Sequence, residues 1–163
     1  MFEYKALSAE GIAPALEKAE HYRLLNEPWE ADSICRDILA IDPHNQQALV
    51  TLILALTERL GEEGGVDVSE PRGLLPRLQS DYERAYYAGI ICERHAKERL
   101  SHGTLGSGPA VFELLREAMD LYEQAERLST PGNDDALLRW NTCARMIFRN
   151  QLRPPPGPPG DMG

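Results

Sequence analysis

Cys92, His95 and His102 are potential metal ligands that lie close together in one predicted helix. Thiolate and imidazole groups both bind zinc. Positions i, i+3 and i+10 keep the three side chains loosely on one side of a helix, but ligands from a single helix rarely complete a tetrahedral site. His102 is also expected beyond the end of the helix. We therefore expect Cys92 to pack in the core, with no metal or other cofactor, and keep a metal site as the alternative.

Catalytic patterns are weak in this chain. A nucleophile, a base and an orienting group must converge in space, but Cys35, Cys92 and Cys143 fall at positions expected to pack. No GxSxG motif occurs. The glycine-rich segment 103–108 (GTLGSG) precedes a predicted helix, where phosphate binds readily, but it lacks a following Lys-Ser/Thr and a preceding strand. We interpret it as a flexible linker and expect no enzymatic activity.

Length, charge and composition narrow the class of protein. The 163 residues, 42% hydrophobic and 26% charged, suit one soluble domain with a buried core. A net charge of −9 disfavours general nucleic-acid binding and anionic membrane surfaces. The longest apolar stretch, 48–56, is far shorter than the roughly 20 residues of a membrane helix. Three cysteines without a CxxC pair, and no signal-like segment at residues 1–11, predict a cytoplasmic location.

Amphipathic helices must position any functional side chain in this sequence. Apolar residues about every third position predict a first helix over 15–25. Pro28 opens a second helix that ends at Asp42-Pro43 and is expected to bury Trp29, Ala31, Cys35 and Ile38. Residues 26–28 break the chain between the two helices. This pattern predicts a helical hairpin.

Five further helices are predicted after the first hairpin. Their ranges are 46–60 with Asn45 as the N-cap, 70–79 with a kink or split at Pro76, 81–100, 109–128, and a last helix to about 150 that follows Asn133-Asp134-Asp135. Gly89 costs about 1 kcal/mol in a helix interior, which indicates close contact with another helix. In the last helix we expect Leu137, Trp140, Ala144 and Ile147 or Phe148 to face inward.

Residues 19–43 resemble a tetratricopeptide (TPR) repeat. Small or aromatic residues at Ala19, Tyr22, Ala31, Cys35 and Ile38 precede Pro43. In such repeats small residues let paired helices approach, and the proline ends the second helix. The same spacing recurs at Ala118, Tyr122 and Ala125, whereas the second repeat matches only in its first helix. The resemblance implies an all-α fold, a right-handed superhelical array of about three TPR-like hairpins plus a terminal capping helix.

Three regions follow from this interpretation. Residues 1–11 form a loose N-terminal lead-in, residues 12–150 the TPR-like helical domain, and residues 151–163 a Pro/Gly-rich disordered tail. The tail sequence RPPPGPPG is also able to adopt a polyproline helix that docks an aromatic groove. A disordered end is the expectation.

The resemblance also implies a concave groove lined by the first helix of each hairpin. Its register selects a set of residues that is apolar in the middle with arginines at both ends, and arginine binds carboxylates bidentately. The full register includes Leu16, Glu20, Thr57 and Thr142. The residues predicted to bind a partner are Arg23, Val50, Leu54, Tyr86, Ile90, Arg94, Arg139 and Arg145.

The sequence therefore predicts a protein–protein interaction scaffold or adaptor whose groove binds an acidic or amphipathic segment of a protein partner. We expect it to bind neither nucleic acid nor membranes, and to act as a homodimer or as a subunit of a heterocomplex. One alternative is a small helical ligand- or metal-binding protein, or an enzyme accessory subunit, that uses Cys92 and His95 or Asn141 and Arg145. Another is a structural subunit that binds through its convex face.

Overall fold

The computed structural model describes residues 1–103, 106–158 and 160. Within these residues the chain is all-α, as predicted, and the only strand-like pairing is an isolated bridge between Leu60 and Val66. No helix in this part of the chain has the length and apolar character needed to span a membrane. The helices are α1 (Ile12–Leu24), α2 (Pro28–Ile41), α3 (Gln46–Thr57), α4 (Ser69–Leu74), α5 (Asp81–Ser101), α6 (Gly108–Leu128) and α7 (Asp135–Arg149).

The starts of α2 and α3 match the prediction, whereas α1 begins three residues earlier than predicted, at Ile12, and α3 ends three residues earlier, at Thr57. Pro28 stands at the start of α2, and Asn26 adopts a φ of 62° in the turn before it. Asparagine tolerates this left-handed conformation better than most residues. The side chain of Asn45 caps α3 by accepting a hydrogen bond from the Ala48 backbone N–H at 2.9 Å. The predicted hairpin and the predicted cap are confirmed.

The second hairpin is irregular because of Pro76. Helix α4 ends at Leu74, and a 3-10 turn over Leu75–Arg77 follows it. Proline cannot donate the backbone hydrogen bond that would continue an α-helix. The predicted split is confirmed, and Leu78 beyond it is buried against α3 and α5.

Close packing of α5 on α6 depends on Gly89. A Cβ atom at this position would lie 2.5 Å from Cε1 of Tyr122, so the tyrosine ring occupies the space that any larger residue would need. The contact predicted from the glycine is confirmed. The largest buried cluster lies here, among α5, α6 and α7.

Consecutive helices pack on one another along the whole chain. Helix α1 contacts α2 and α3, α3 contacts α4 and α5, α5 contacts α6, and α6 contacts α7. Helix α3 is central, since eight of its twelve residues are buried. Small residues lie in most of these contacts, with Ala19, Ala31, Ala85, Ala118 and Ala125 all buried.

Two predictions about inward-facing residues are wrong. Trp29 is exposed and lies outside the core. Its ring packs against the Arg59 guanidinium, which is 3.3 Å from the ring centroid. In α7 the buried residues are Ala136, Cys143 and Met146, whereas Leu137 is 38% and Phe148 77% exposed. The predicted Trp140, Ala144 and Ile147 do pack, partly buried, against the core of α5 and α6. Only the edge of this apolar face that carries Leu137 and Phe148 is exposed.

Candidate functional site

An arginine pair joins α1, α3 and α5 through one carboxylate. Arg23 donates to Glu58 Oε1 at 2.8 Å, and Arg94 approaches the same oxygen at 3.5 Å. Arg94 also donates to the Thr57 hydroxyl at 2.8 Å and to the Leu54 carbonyl at 3.3 Å. Burial lowers the pKa of Arg94, and the charge of Glu58 opposes this effect. The contacts fix both guanidinium groups in place.

A second carboxylate, Glu93 of α5, is fully buried beside this pair. It accepts hydrogen bonds from the Tyr122 hydroxyl at 3.0 Å, from Lys97 Nζ at 2.8 Å and from Cys143 Sγ at 3.6 Å. Arg139 of α7 forms an ion pair with it at 3.6 Å. Burial lowers the pKa of Arg139, but the charge of Glu93 together with Tyr122 and Tyr86 outweighs it, and the net shift is upward.

Glu93 and burial together keep its neighbours protonated. The pKa of Tyr122 is raised, first by burial and then by the charge of Glu93. The same two causes raise the pKa of Cys143 to about 12. Glu93 thus has protonated donors on α6 and α7 and cationic partners on α5 and α7.

The arginines of α1, α5 and α7 lie on one surface. Arg23 and Arg94 share Glu58, and Arg139 pairs with Glu93, the residue before Arg94. Val50, Leu54 and Glu58 follow one line along α3 at intervals of four residues. We call this region the arginine surface and define it by Arg23, Glu58, Arg94 and Arg139, which lie over the buried Glu93, with Val50, Leu54 and Tyr86 at its border.

Tyr86 is the largest apolar group of the arginine surface. Its ring stacks on Tyr82 at 5.7 Å and lies 5.9 Å from Tyr122. Val50, Leu54 and Tyr86 each retain partial exposure. These side chains offer contact area for a ligand beside the arginines.

Two residues of the predicted groove lie apart from the arginine surface. Ile90 is only 2% exposed and packs within the α5–α7 core, since it falls on the same side of α5 as the buried small residues. Arg145 is exposed on α7 about a third of a turn from Arg139. Among the described residues, no hydrogen bond or ion pair joins Arg145 to the arginine surface. The remaining six predicted residues lie at the surface, although Arg94 is engaged by α3.

The two carboxylates that hold the arginines, Glu58 and Glu93, are not among the residues predicted from the sequence. Glu93 lies four residues after Gly89 and therefore on the packing face of α5, which is a signal that the spacing contained. Glu58 lies four residues after Leu54 in the same way. Their partners come from distant helices, so spacing alone does not reveal the ion pairs.

The residues of the metal-site alternative, Cys92, His95 and His102, differ in burial. Cys92 is buried, and burial raises the pKa of its thiol, whereas the exposed His102 contacts Glu98 at 3.0 Å. In the described parts of the chain, no three His, Cys, Asp or Glu side chains are grouped as metal ligands. The glycine-rich segment includes Thr104 and Leu105, and the tail includes Pro159 and residues 161–163, which lie outside the described residues.

Comparison with known proteins gives no relative for this chain. No protein-family model matches it, and neither the curated proteins nor the solved structures contain a match.

Proposed function

We propose that this protein is a cytoplasmic, non-enzymatic interaction scaffold with a right-handed TPR-like array, and that its arginine surface binds an acidic or amphipathic segment of a partner protein. The observation that carries the proposal is the convergence of Arg23, Arg94 and Arg139 from three helices in a chain of net charge −9. The small residues buried between successive helices support the TPR-like arrangement. Three free, buried cysteines suit a reducing compartment.

Preorganisation is the physical basis of this binding. Glu58 and Glu93 hold the guanidinium groups, so less side-chain entropy is lost when a ligand carboxylate arrives. The two carboxylates are paired with four cations, the three arginines and Lys97. The excess positive charge is available to an acidic ligand. Arginine also accepts a carboxylate bidentately and stacks on aromatic rings. Tyr86, Leu54 and Val50 would contact the apolar side of the same segment.

Fluorescence anisotropy with labelled peptides tests the proposal. The probes are an acidic amphipathic helical peptide and a matched peptide with glutamine in place of every acidic residue. We expect the acidic peptide to bind about tenfold more tightly or better, with a difference that shrinks in high salt. Arg23→Gln should weaken this binding several-fold, because it removes one of the cations that bind the acidic peptide. The fold should be retained, since Glu58 keeps Arg94 as a partner.

Arg116→Gln is the matched control. Arg116 lies on α6, pairs with Asp120 and is away from the arginine surface. This substitution should leave the affinity for the acidic peptide unchanged. Equal affinity for the two peptides, or an equal loss in both variants, would contradict the proposal.

A further inference from the structure

Helix α7 carries an apolar stripe that packs on the core along one edge and, among the described residues, is left exposed along the other. Its members are spaced by three or four residues and so share one side of the helix: Leu137, Trp140, Ala144, Ile147 and Phe148. We call them the α7 stripe. Trp140, Ala144 and Ile147 touch the core with one edge, whereas Leu137 and Phe148 are exposed. Helices α1, α3 and α5 are each covered by the helix that follows them, but within the described residues no helix follows α7.

A cavity lies at each end of the α7 stripe. The first, of about 310 Å³, is lined by Leu137, Trp140 and Asn141 together with Glu123 and Glu126 of α6. Glu123 accepts a hydrogen bond from Trp140 Nε1 at 3.1 Å, which fixes the indole as one wall. This end of the stripe therefore combines two apolar side chains, Leu137 and Trp140, with two carboxylates around one cavity.

The second cavity, of about 470 Å³, has the opposite character. It is lined by Ile147 and Phe148 and by residues that follow α7, including Arg153. Phe148 is the most exposed apolar side chain of the stripe, at 77%. This end of the stripe therefore combines a protruding aromatic ring with a cation.

We propose that the chain forms a homodimer in which the α7 stripes of two copies pack antiparallel about a two-fold axis. The midpoint of the stripe lies between Asn141 and Ala144, so the axis places Phe148 of each copy at the Leu137 end of the other. There the ring enters the cavity beside Trp140, and Arg153 meets Glu126 of the second copy. The small Ala144 near the axis lets the helices approach, and each contact occurs twice.

The charges specify a second copy as the occupant. A surface that carries carboxylates at one end and a cation at the other is self-complementary only when the two helices run in opposite directions. Trp and Arg are among the residues that contribute most binding energy in interfaces, and Phe is enriched there. The arginine surface lies on another side of α7, so the homodimer and the proposed function can be tested independently of each other.

Sedimentation equilibrium of the full chain tests the homodimer. The wild type should dimerise at micromolar concentration, and Phe148→Glu should raise the dissociation constant by about tenfold or more, because a carboxylate would be buried in the cavity. Leu138→Glu is the matched control, since Leu138 is 58% exposed on the same helix but outside the stripe. It should leave the dissociation constant unchanged.

A charge exchange tests the antiparallel orientation. Arg153→Glu and Glu126→Lys should each weaken the dimer, and the double variant should restore it, because the exchanged charges meet again across the axis. Circular dichroism confirms that every variant is folded. A wild type that stays monomeric, a loss in Leu138→Glu as large as that in Phe148→Glu, or a double variant weaker than either single one would overturn the proposal.

Discussion

Glu93 shows how single residues hold three helices together. It is fully buried on α5 and binds Tyr122 on α6 and Arg139 and Cys143 on α7. A buried ion pair is costly to assemble, but removing one partner is costlier because the other charge then lacks compensation. The carboxylate therefore specifies how α7 sits on α5 as well as holding an arginine at the surface.

We expect Glu93→Ala to lower the free energy of unfolding by about 3–5 kcal/mol, since it strands Arg139 and the Tyr122 hydroxyl. Lys97→Ala is the control, because Lys97 is half-exposed and should cost at most about 1 kcal/mol. Urea denaturation followed by circular dichroism measures both values. A loss of less than about 1 kcal/mol in Glu93→Ala would show that the cluster is not a structural centre.

Much of each element was predictable from local chemistry. Pro28, Asn45 and Pro76 set helix starts, a cap and a break through interactions within a few residues of themselves. The exact set of residues that α7 buries was not predictable, because its apolar residues cover more of the helix surface than the core contacts. Only the shape of α5 and α6 decides that the small Ala136 and Cys143 face inward. Burial of Glu93 likewise depends on residues far away in the sequence.

The contact between α5 and α6 can be tested by a substitution at Gly89. Gly89→Ala adds helix propensity worth about 1 kcal/mol, but the new methyl group overlaps the Tyr122 ring. Overpacking of this kind costs about 1–3 kcal/mol, so we expect a net loss of stability. The melting temperature and the urea midpoint should both fall.

Gly73→Ala is the matched control for this prediction. Gly73 lies in α4 with nothing within 4 Å of the position that a Cβ would take. The same substitution there should be neutral or stabilising by about 0.4–1 kcal/mol, since it reduces the entropy of the unfolded chain. If Gly89→Ala were equally stabilising, the α5–α6 contact would be looser than described.

At the scale of the whole molecule, buried thiols make the free energy of unfolding depend on pH in the alkaline range. Burial raises the pKa of Cys35 and of Cys143 from the ordinary 9.0 to about 12. Between these values the unfolded chain loses thiol protons that the folded chain keeps. The unfolded state then binds fewer protons, so the free energy of unfolding falls as pH rises through this range.

Urea denaturation across this pH range should show the decline, with a slope of up to about 1.4 kcal/mol per pH unit from each thiol. Cys35→Ala should remove one thiol's share of the slope. The neighbouring exposed Ser33→Ala should leave the slope unchanged, as it removes no titrating group. If the free energy of unfolding did not change above pH 9.0, solvent would have to reach the thiols in the folded state.

The central position of α3 also has a consequence for how the chain is synthesised. Residues 46–57 contain no charge, no proline and no glycine, and the run Val50 to Leu54 is rich in residues that favour strands. Uncharged segments of this kind are prone to intermolecular strand pairing and fibril formation. Helix α5 covers α3 from beyond residue 80, so a nascent chain that has reached only α4 still exposes part of this segment. Completing α5 therefore removes an aggregation hazard as well as extending the fold.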